Sequence, residues 1–195
     1  MTISIYNHYP PSFDFQGKKV LNVGSGYAKY KSKDVVNLDS VEECKPDVVW
    51  DLEKTPLPFK DGEFDVIIAN HIMEHIHNWW GLFNDLARVL KKGGALTAYL
   101  PGPGNDSQLG FRDHVSYINE LSFYGTHGLH RAGGNAHAMS ERLRKEHASS
   151  LRIVSVEKIY KKRWWINLAP RSLKLWMGEY LRNVIAEQGF FFVKV

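Results

Sequence analysis

The sequence predicts an α/β domain built on a largely parallel sheet. Three observations carry this. Apolar runs of strand length alternate with helical spacing along residues 18–101, the first run opens into the turn Gly24-Ser25-Gly26, and the second ends in an acid, Asp39. Strand and helix alternating at short spacing is the pattern of parallel α/β sheets.

The elements follow in order. Residues 18–23 (KKVLNV), 35–38 (VVNL) and 48–50 (VVW) read as three short strands. Residues 64–69 (FDVIIA) form a continuous apolar run, which suits a strand covered on both faces. A helix comes next, with Asn78 as its N-cap. Trp79, Leu82, Phe83, Leu86, Val89 and Leu90 give it one apolar face. Lys91 and Lys92 suit the negative end of a helix, and Gly93 suits the left-handed residue that stops one. Residues 95–100 (ALTAYL) make the next strand, ended by Pro101.

Beyond Pro101 the pattern loosens. Residues 101–110 read as a loop, 117–124 as a helix, 125–138 as a Gly- and His-rich loop, and 151–160 as a strand. Leu173, Trp176, Met177, Tyr180, Leu181, Val184 and Ile185 form a helical stripe expected to pack on the sheet, and 190–195 (FFFVKV) a last strand. Residues 1–16 carry Pro10 and Pro11 without periodicity and read as an irregular leader. No composition break divides the chain, so 1–195 is expected to be one domain, with 102–150 as its substrate loop or lid region.

Bulk properties narrow the function. A chain of 195 residues is one domain by length. A formal charge of +4 is far from the dense positive field of a dedicated nucleic-acid binder. The single cysteine, Cys44, excludes an internal disulfide framework and fits a reducing compartment. The opening MTISIYNHYPPSF has no basic region followed by an apolar run, so no signal peptide is expected. No run reaches the length of a membrane span. A cytoplasmic enzyme or binding domain is the expectation.

The chemistry concentrates at strand ends. Glycine at 24 and 26 permits positive φ and lets a ligand approach the backbone, and the amides that follow suit an acidic or carboxylate group. Asp39 ends the second strand, where a carboxylate accepts ribose hydroxyls. Asp51-Leu52 follows the third, where a polar side chain and a backbone amide suit an adenine edge. Three such ends line one crevice, the place where open α/β sheets bind ligands. A nicotinamide dinucleotide needs a third glycine for its pyrophosphate. Here that region reads Tyr27-Ala28-Lys29, and the short gap to Asp39 leaves little room for a full first helix. The crevice therefore suits a smaller nucleoside ligand.

VLNVGSG, VVNLD, DLEKTPLPFKDGEFDVIIANHIMEHI and LARVLKKGGALTAYLP, in that order, resemble the successive motifs of class I S-adenosylmethionine-dependent methyltransferases. The resemblance covers roughly residues 18–101. The D-L-E, P-L-P-F and F-D segment before E-H is similar to a bacterial subgroup associated with glycan and cell-surface polysaccharide biosynthesis. The resemblance implies a Rossmann-like, mostly parallel sheet of seven strands with helices on both faces and an antiparallel last strand. It implies S-adenosylmethionine as cofactor. Gly24 and Gly26, with Ser25 between them, then lie near its methionine end, Asp39 at its ribose and Asp51 and Leu52 at its adenine. Asn70 and His71 lie beside it. Asn22 stands where many members carry an acid, and keeps hydrogen-bonding capacity without the charge.

Several histidines are candidates. His71-Ile72-Met73-Glu74-His75 is also an H-x-x-E-H match, the pattern of inverted zinc peptidases, in which two histidines four apart on a helix bind zinc. The sequence places no third ligand, and no metal site is expected. His75 reads either as a structural histidine at the strand-to-helix turn or as a polar residue near the methyl donor. His114, in FRDHVSYINELSFY, resembles an Asp-x-His-type position after the fifth strand of the glycan-associated subgroup. A histidine there takes the proton of an attacking hydroxyl; the competing reading is an exposed loop histidine. His114 is the first candidate for catalysis and His75 the second. His127, His130 and His137 lie among glycines, as a substrate lid, a metal site or a surface loop.

The acceptor is narrowed by what is missing. DNA adenine methyltransferases place a D/N/S-P-P-aromatic segment after the fourth strand, where this chain has Asn70-His71-Ile72-Met73, and cytosine-C5 enzymes need a cysteine there. DNA is therefore not the expected partner. A small-molecule or glycan acceptor is expected, most of all a sugar hydroxyl. Lys161 to Trp165 (KKRWW) is open between a loop at the inner membrane face and a partner contact. A methyltransferase-like domain that binds without turnover is the alternative function; an NAD-dependent oxidoreductase and a zinc peptidase are more distant ones.

Overall fold

A computed structural model describes residues 17–123, 149–160, 168–180 and 185–195. Seven strands form one sheet: β1 Val20–Val23, β2 Val35–Asp39, β3 Val48–Val49, β4 Phe64–Asn70, β5 Leu90–Pro101, β6 Leu151–Tyr160 and β7 Ile185–Lys194. Their order is β3-β2-β1-β4-β5-β7-β6. β1 to β5 run parallel, and β7 lies antiparallel between β5 and β6. The Rossmann-like, mostly parallel sheet of seven strands with an antiparallel last strand is as expected. Because β1 is flanked by β2 on one side and β4 on the other, the order reverses there and opens a crevice at the carboxyl ends.

Alternation along each strand divides the core. Leu21, Val23, Leu38, Ile67, Ala69, Leu96, Ala98, Phe190 and Phe192 share one cluster with Leu82, Phe83 and Leu86 of the helix α1, Trp79–Val89. Val20, Val35, Val66 and Ile68 form the other cluster, with Tyr30 against it. Asn78 caps α1 as expected, its side chain accepting from the Gly81 N–H at 3.2 Å. Phe123, fully buried, closes the first cluster. Its ring lies 5.3 Å from Phe83, 4.8 Å from Phe190 and 5.1 Å from Phe192. Arg88, near the end of α1, ties the 57–61 loop down. It donates to the Leu57 and Phe59 carbonyls and to the carboxylates of Asp61 and Asp85.

Four details differ from the sequence expectation. Helix α1 ends at Val89 and the chain turns extended at Leu90, so Gly93 does not stop the helix. Leu90 pairs with Phe64 and Ala95 with Val66, so residues 91–94 bulge out between them, and the positive φ of Gly93 (75°) serves that bulge. Asp106–Gly110 forms a short helix, α2, inside the expected loop, and the expected helix at 117–124 is a single 3-10 turn, Glu120–Phe123.

The C-terminal stripe is divided. Helix α3 covers Arg171–Tyr180, while Ile185 already belongs to β7, which starts five residues earlier than the FFFVKV run. Leu181 and Val184 lie outside the described residues. Leu173 is 44% exposed and Trp176 52% exposed, so this face is not core. Among the described side chains of α3, Met177 is the buried one, packed against Tyr160 of β6. β6 is the edge strand, so a helix packed there has little sheet to cover. No helix stands between β1 and β2, in keeping with the short spacing.

Phe123→Ala removes a fully buried ring that links α1 to β7. The expected loss is about 3–5 kcal/mol of unfolding free energy, read as a lower urea midpoint with an unchanged slope.

Candidate functional site

β1 runs into Gly24, whose φ is +64°, and Gly26, whose φ is +48°. A Cβ at Gly24 would stand 2.5 Å from the Ile72 side chain, so only glycine lets β1 and the segment after β4 approach this closely. A Cβ at Gly26 would meet nothing within 4 Å, which marks the open side of the turn. The turn is tied to the end of β2. The Ser25 N–H donates to the Leu38 carbonyl at 3.1 Å, and the Gly26 N–H donates to Oδ2 of Asp39 at 2.7 Å. The other oxygen of Asp39 accepts from the Val41 N–H at 2.9 Å. A carboxylate has about four lone-pair sites, so Asp39 keeps capacity for ribose hydroxyls after these two bonds.

Asp51 follows β3. It accepts from the Glu53 N–H at 3.1 Å and stays exposed, while the Leu52 side chain is buried in the core. Glu53 reaches across to the start of α1. It accepts from the N–H groups of His77 and Asn78 at 2.8 and 3.2 Å. The His77 amide bond, chiefly, holds its carboxyl below the ordinary range. The D-L-E motif carried this signal without showing the partner.

Asn22 turns elsewhere. Its amide donates to Asn37 at 3.1 Å on the sheet face that holds Val20 and Val35, and Asn37 in turn is bonded to Tyr30 and Asp47. Asn22 thus braces the helix-free link between β1 and β2.

Among the described residues, Oγ of Ser25, Oδ1 of Asn70 and Oε2 of Glu74 are buried at the carboxyl edge without a hydrogen-bond partner. The first two, beside a glycine turn with open space, fit S-adenosylmethionine. Gly24, Ser25 and Gly26 would hold its methionine end, Asp39 its ribose, Asp51 and the Leu52 backbone its adenine, and Asn70 and His71 its middle. When bound, the cofactor supplies an electrophilic methyl group on a sulfonium sulfur. A dinucleotide fits poorly, because no helix follows the glycine turn to offer its N-terminus to a pyrophosphate.

The second half of the site lies just past β4. His71 has φ +50° and donates its N–H to the Tyr99 carbonyl at 2.8 Å. Its Nδ1 is 3.3 Å from Oε1 of Glu74 and its Nε2 is 3.7 Å from Glu187. Burial works against charge on this ring, but the carboxylates of Glu187 and Glu74 outweigh it and push the pKa up to about 9. Glu187, on β7, was not legible in sequence. It sits at position three of a strand whose start the apolar pattern misplaces.

Met73–His75 is one 3-10 turn and His71 lies before it, so the two histidines of H-x-x-E-H do not share a helical face. The zinc peptidase arrangement is absent. Instead, His75 meets His114, with ring centroids 4.7 Å apart and nearly perpendicular. The segment carrying His114 is pinned over the turn. The Ser116 N–H donates to the Glu74 carbonyl at 3.0 Å and its hydroxyl to the Ile76 carbonyl at 2.7 Å. Nδ1 of His75 is 3.0 Å from the Asp113 carbonyl. The two candidate catalytic histidines, 39 positions apart (114 − 75), are thus brought together. His127, His130 and His137 lie outside the described residues.

Comparison with known proteins agrees with this geometry. Residues 22–98 match the family model described as a methyltransferase domain. Over that stretch the chain is similar to methyltransferase domains. An uncharacterized methyltransferase of Mycobacterium sp. (strain JLS) is 29% identical to this chain over 127 residues, 60% of this chain and 50% of that protein. Sterol 4-C-methyltransferase strm-1 of Caenorhabditis elegans is 27% identical over 111 residues, 56% of this chain and 32% of that protein. The chain spans about half the length of the mycobacterial relatives it matches. Among solved structures, a SAM dependent methyltransferase from Archaeoglobus fulgidus superposes with a TM-score of 0.64 at 14% identity, covering 92% of this chain and 88% of that one. The [4+2]-cyclase SpnF superposes with a TM-score of 0.53 at 12% identity, covering 91% and 75%.

Asp39→Ala removes a charge-assisted acceptor worth about 1.5–3 kcal/mol. S-adenosylhomocysteine should bind about ten- to a hundredfold more weakly by calorimetry; unchanged affinity removes Asp39 from the site.

Proposed function

We propose that this protein transfers a methyl group from S-adenosylmethionine to a hydroxyl of a small acceptor, most of all a sugar, in glycan or cell-surface polysaccharide biosynthesis. The observation that carries this reading is the His75–His114 pair, held beside the end of β4 where the cofactor's reactive end would lie. Methyl transfer needs alignment of donor and acceptor in a water-poor site. A hydroxyl acceptor also needs a group that takes its proton. His114 is that group in this reading, with His75 second. Nδ1 of His114 is buried and has no hydrogen-bond partner.

The surroundings suit a sugar. Phe111 is 59% exposed with its ring 5.3 Å from His114, and Tyr117 is exposed on the same segment. Exposed rings beside a polar pair offer a flat apolar surface and hydrogen bonds together, as small-molecule sites do. A cytoplasmic location belongs to this proposal. Among the described residues no helix is long and apolar enough to cross a membrane. Lys161 to Trp165, the segment weighed for membrane contact, lies outside the described residues.

A second reading, a domain that binds the cofactor without turnover, is favoured by the helix-free β1–β2 link. Turnover separates the two. The assay offers methyl-labelled S-adenosylmethionine with a panel of sugars and nucleotide sugars, and a sterol because of the name of the nematode relative. Label in a sugar, with turnover reduced about a hundredfold or more in His114→Ala, is the expected outcome. Cofactor binding with no label in any acceptor supports the second reading.

A further inference from the structure

We propose that Glu74, His75 and His114 bind a first-row divalent cation, and that the acceptor's hydroxyl reaches the site by coordinating it. This deepens the hydroxyl-acceptor reading and rests on it for the second clause only.

The geometry comes first. One ligand atom from each of the three residues lies within 4.8 Å of the others. A tetrahedral ion at about 2.0–2.2 Å from each ligand sets ligand atoms roughly 3.3–3.6 Å apart, so small side-chain movements close the site. The three residues come from the turn after β4 and from the 111–118 segment pinned over it, so the site is assembled by the fold rather than by neighbouring sequence.

The unsatisfied atoms come second. The Glu74 side chain is 1% exposed and its Oε2 is buried without a partner. Nδ1 of His114 is likewise buried without a partner. A buried carboxylate oxygen and a buried imidazole nitrogen both offer lone pairs, and neither can satisfy the other while both are deprotonated. A cation between them answers both. Nδ1 of His75 is held by the Asp113 carbonyl, with the Asp113 carboxylate 3.3 Å away. A ring fixed at Nδ1 by an oxygen offers Nε2 to a metal, the usual support for a histidine ligand.

The donor set comes third. Two imidazoles and one carboxylate suit Zn²⁺, Mn²⁺, Fe²⁺ or Co²⁺ better than Ca²⁺ or Mg²⁺, which prefer oxygen alone. Three protein ligands leave positions open, as in catalytic sites. A hydroxyl on an open position becomes more acidic and gives its proton to solvent water, while its oxygen takes the methyl group from the sulfonium, which leaves as a neutral thioether. The two histidines then act on the acceptor through the ion, rather than His114 acting alone as a base.

The test uses the full chain stripped with a chelator, dialysed, and titrated with Co²⁺ under visible absorption. Wild type, His114→Ala and Glu74→Gln are compared, and S-adenosylhomocysteine binding by each reports that the fold and the cofactor crevice are intact. One Co²⁺ per chain with a ligand-field band, weakened by about a hundredfold or more in both variants, is the expected result. No band in wild type at millimolar Co²⁺, or equal binding by wild type and His114→Ala, overturns the site. Methyl transfer to a sugar that persists in excess chelator overturns the metal's role and leaves the hydroxyl reading standing. A wild-type band with no sugar methylated supports the site and counts against that reading.

Discussion

A carboxylate shut away from water at the end of β4 sets the terms for half of this site. Glu74 is fully buried, and a buried negative charge costs several kcal/mol unless positive charge answers it. His71 answers one oxygen. It does so from a left-handed backbone conformation that a non-glycine residue adopts at a cost of order 1 kcal/mol or more. Glu187 of β7 lies on the other side of the same imidazole. The antiparallel strand between β5 and β6 is thereby coupled to the switch point of the sheet. The Glu74 backbone carbonyl also receives the Ser116 amide, which fixes the segment bearing His114. One buried acid therefore joins the sheet's last strand, the turn after β4 and the segment that bears His114.

The cofactor half rests on a parallel device. Asp39 holds the Gly26 amide and the Val41 amide, so the glycine turn and the end of β2 keep one geometry before any ligand arrives. Glu53 joins the segment after β3 to the first residues before α1. The two halves meet between Gly24 and Ile72, where a side chain at position 24 would not fit. Preorganised alignment of this kind is what methyl transfer asks of a protein. The fold alone does not choose the reaction, since a [4+2]-cyclase shares it.

Much of this was legible in the sequence because it is local. Parallel strands buried on both faces read as apolar runs, and the residues at their ends, Gly24, Gly26, Asp39 and Asp51, read as the edge of a crevice. The Asn78 cap read correctly because capping involves neighbours only. What failed was set by tertiary pairing. Gly93 resembles a helix stop, yet the β4–β5 register shift uses it in a bulge. The 173–185 stripe has helical spacing, yet its end is claimed by β7 and its helix packs at an edge strand, leaving Leu173 and Trp176 exposed. His71 and His75 have metal-ligand spacing only if the chain is helical there, and it is not. His114 reaches Glu74, and Glu187 reaches His71, across long separations that no periodicity encodes.

The measurement that tests the central claim most directly is calorimetric titration of the protein with S-adenosylmethionine and S-adenosylhomocysteine, with NAD as the control. The glycine turn without a following helix predicts micromolar binding of the first two and none of NAD. Binding of NAD alone, or of none of the three, would contradict the assignment of the crevice.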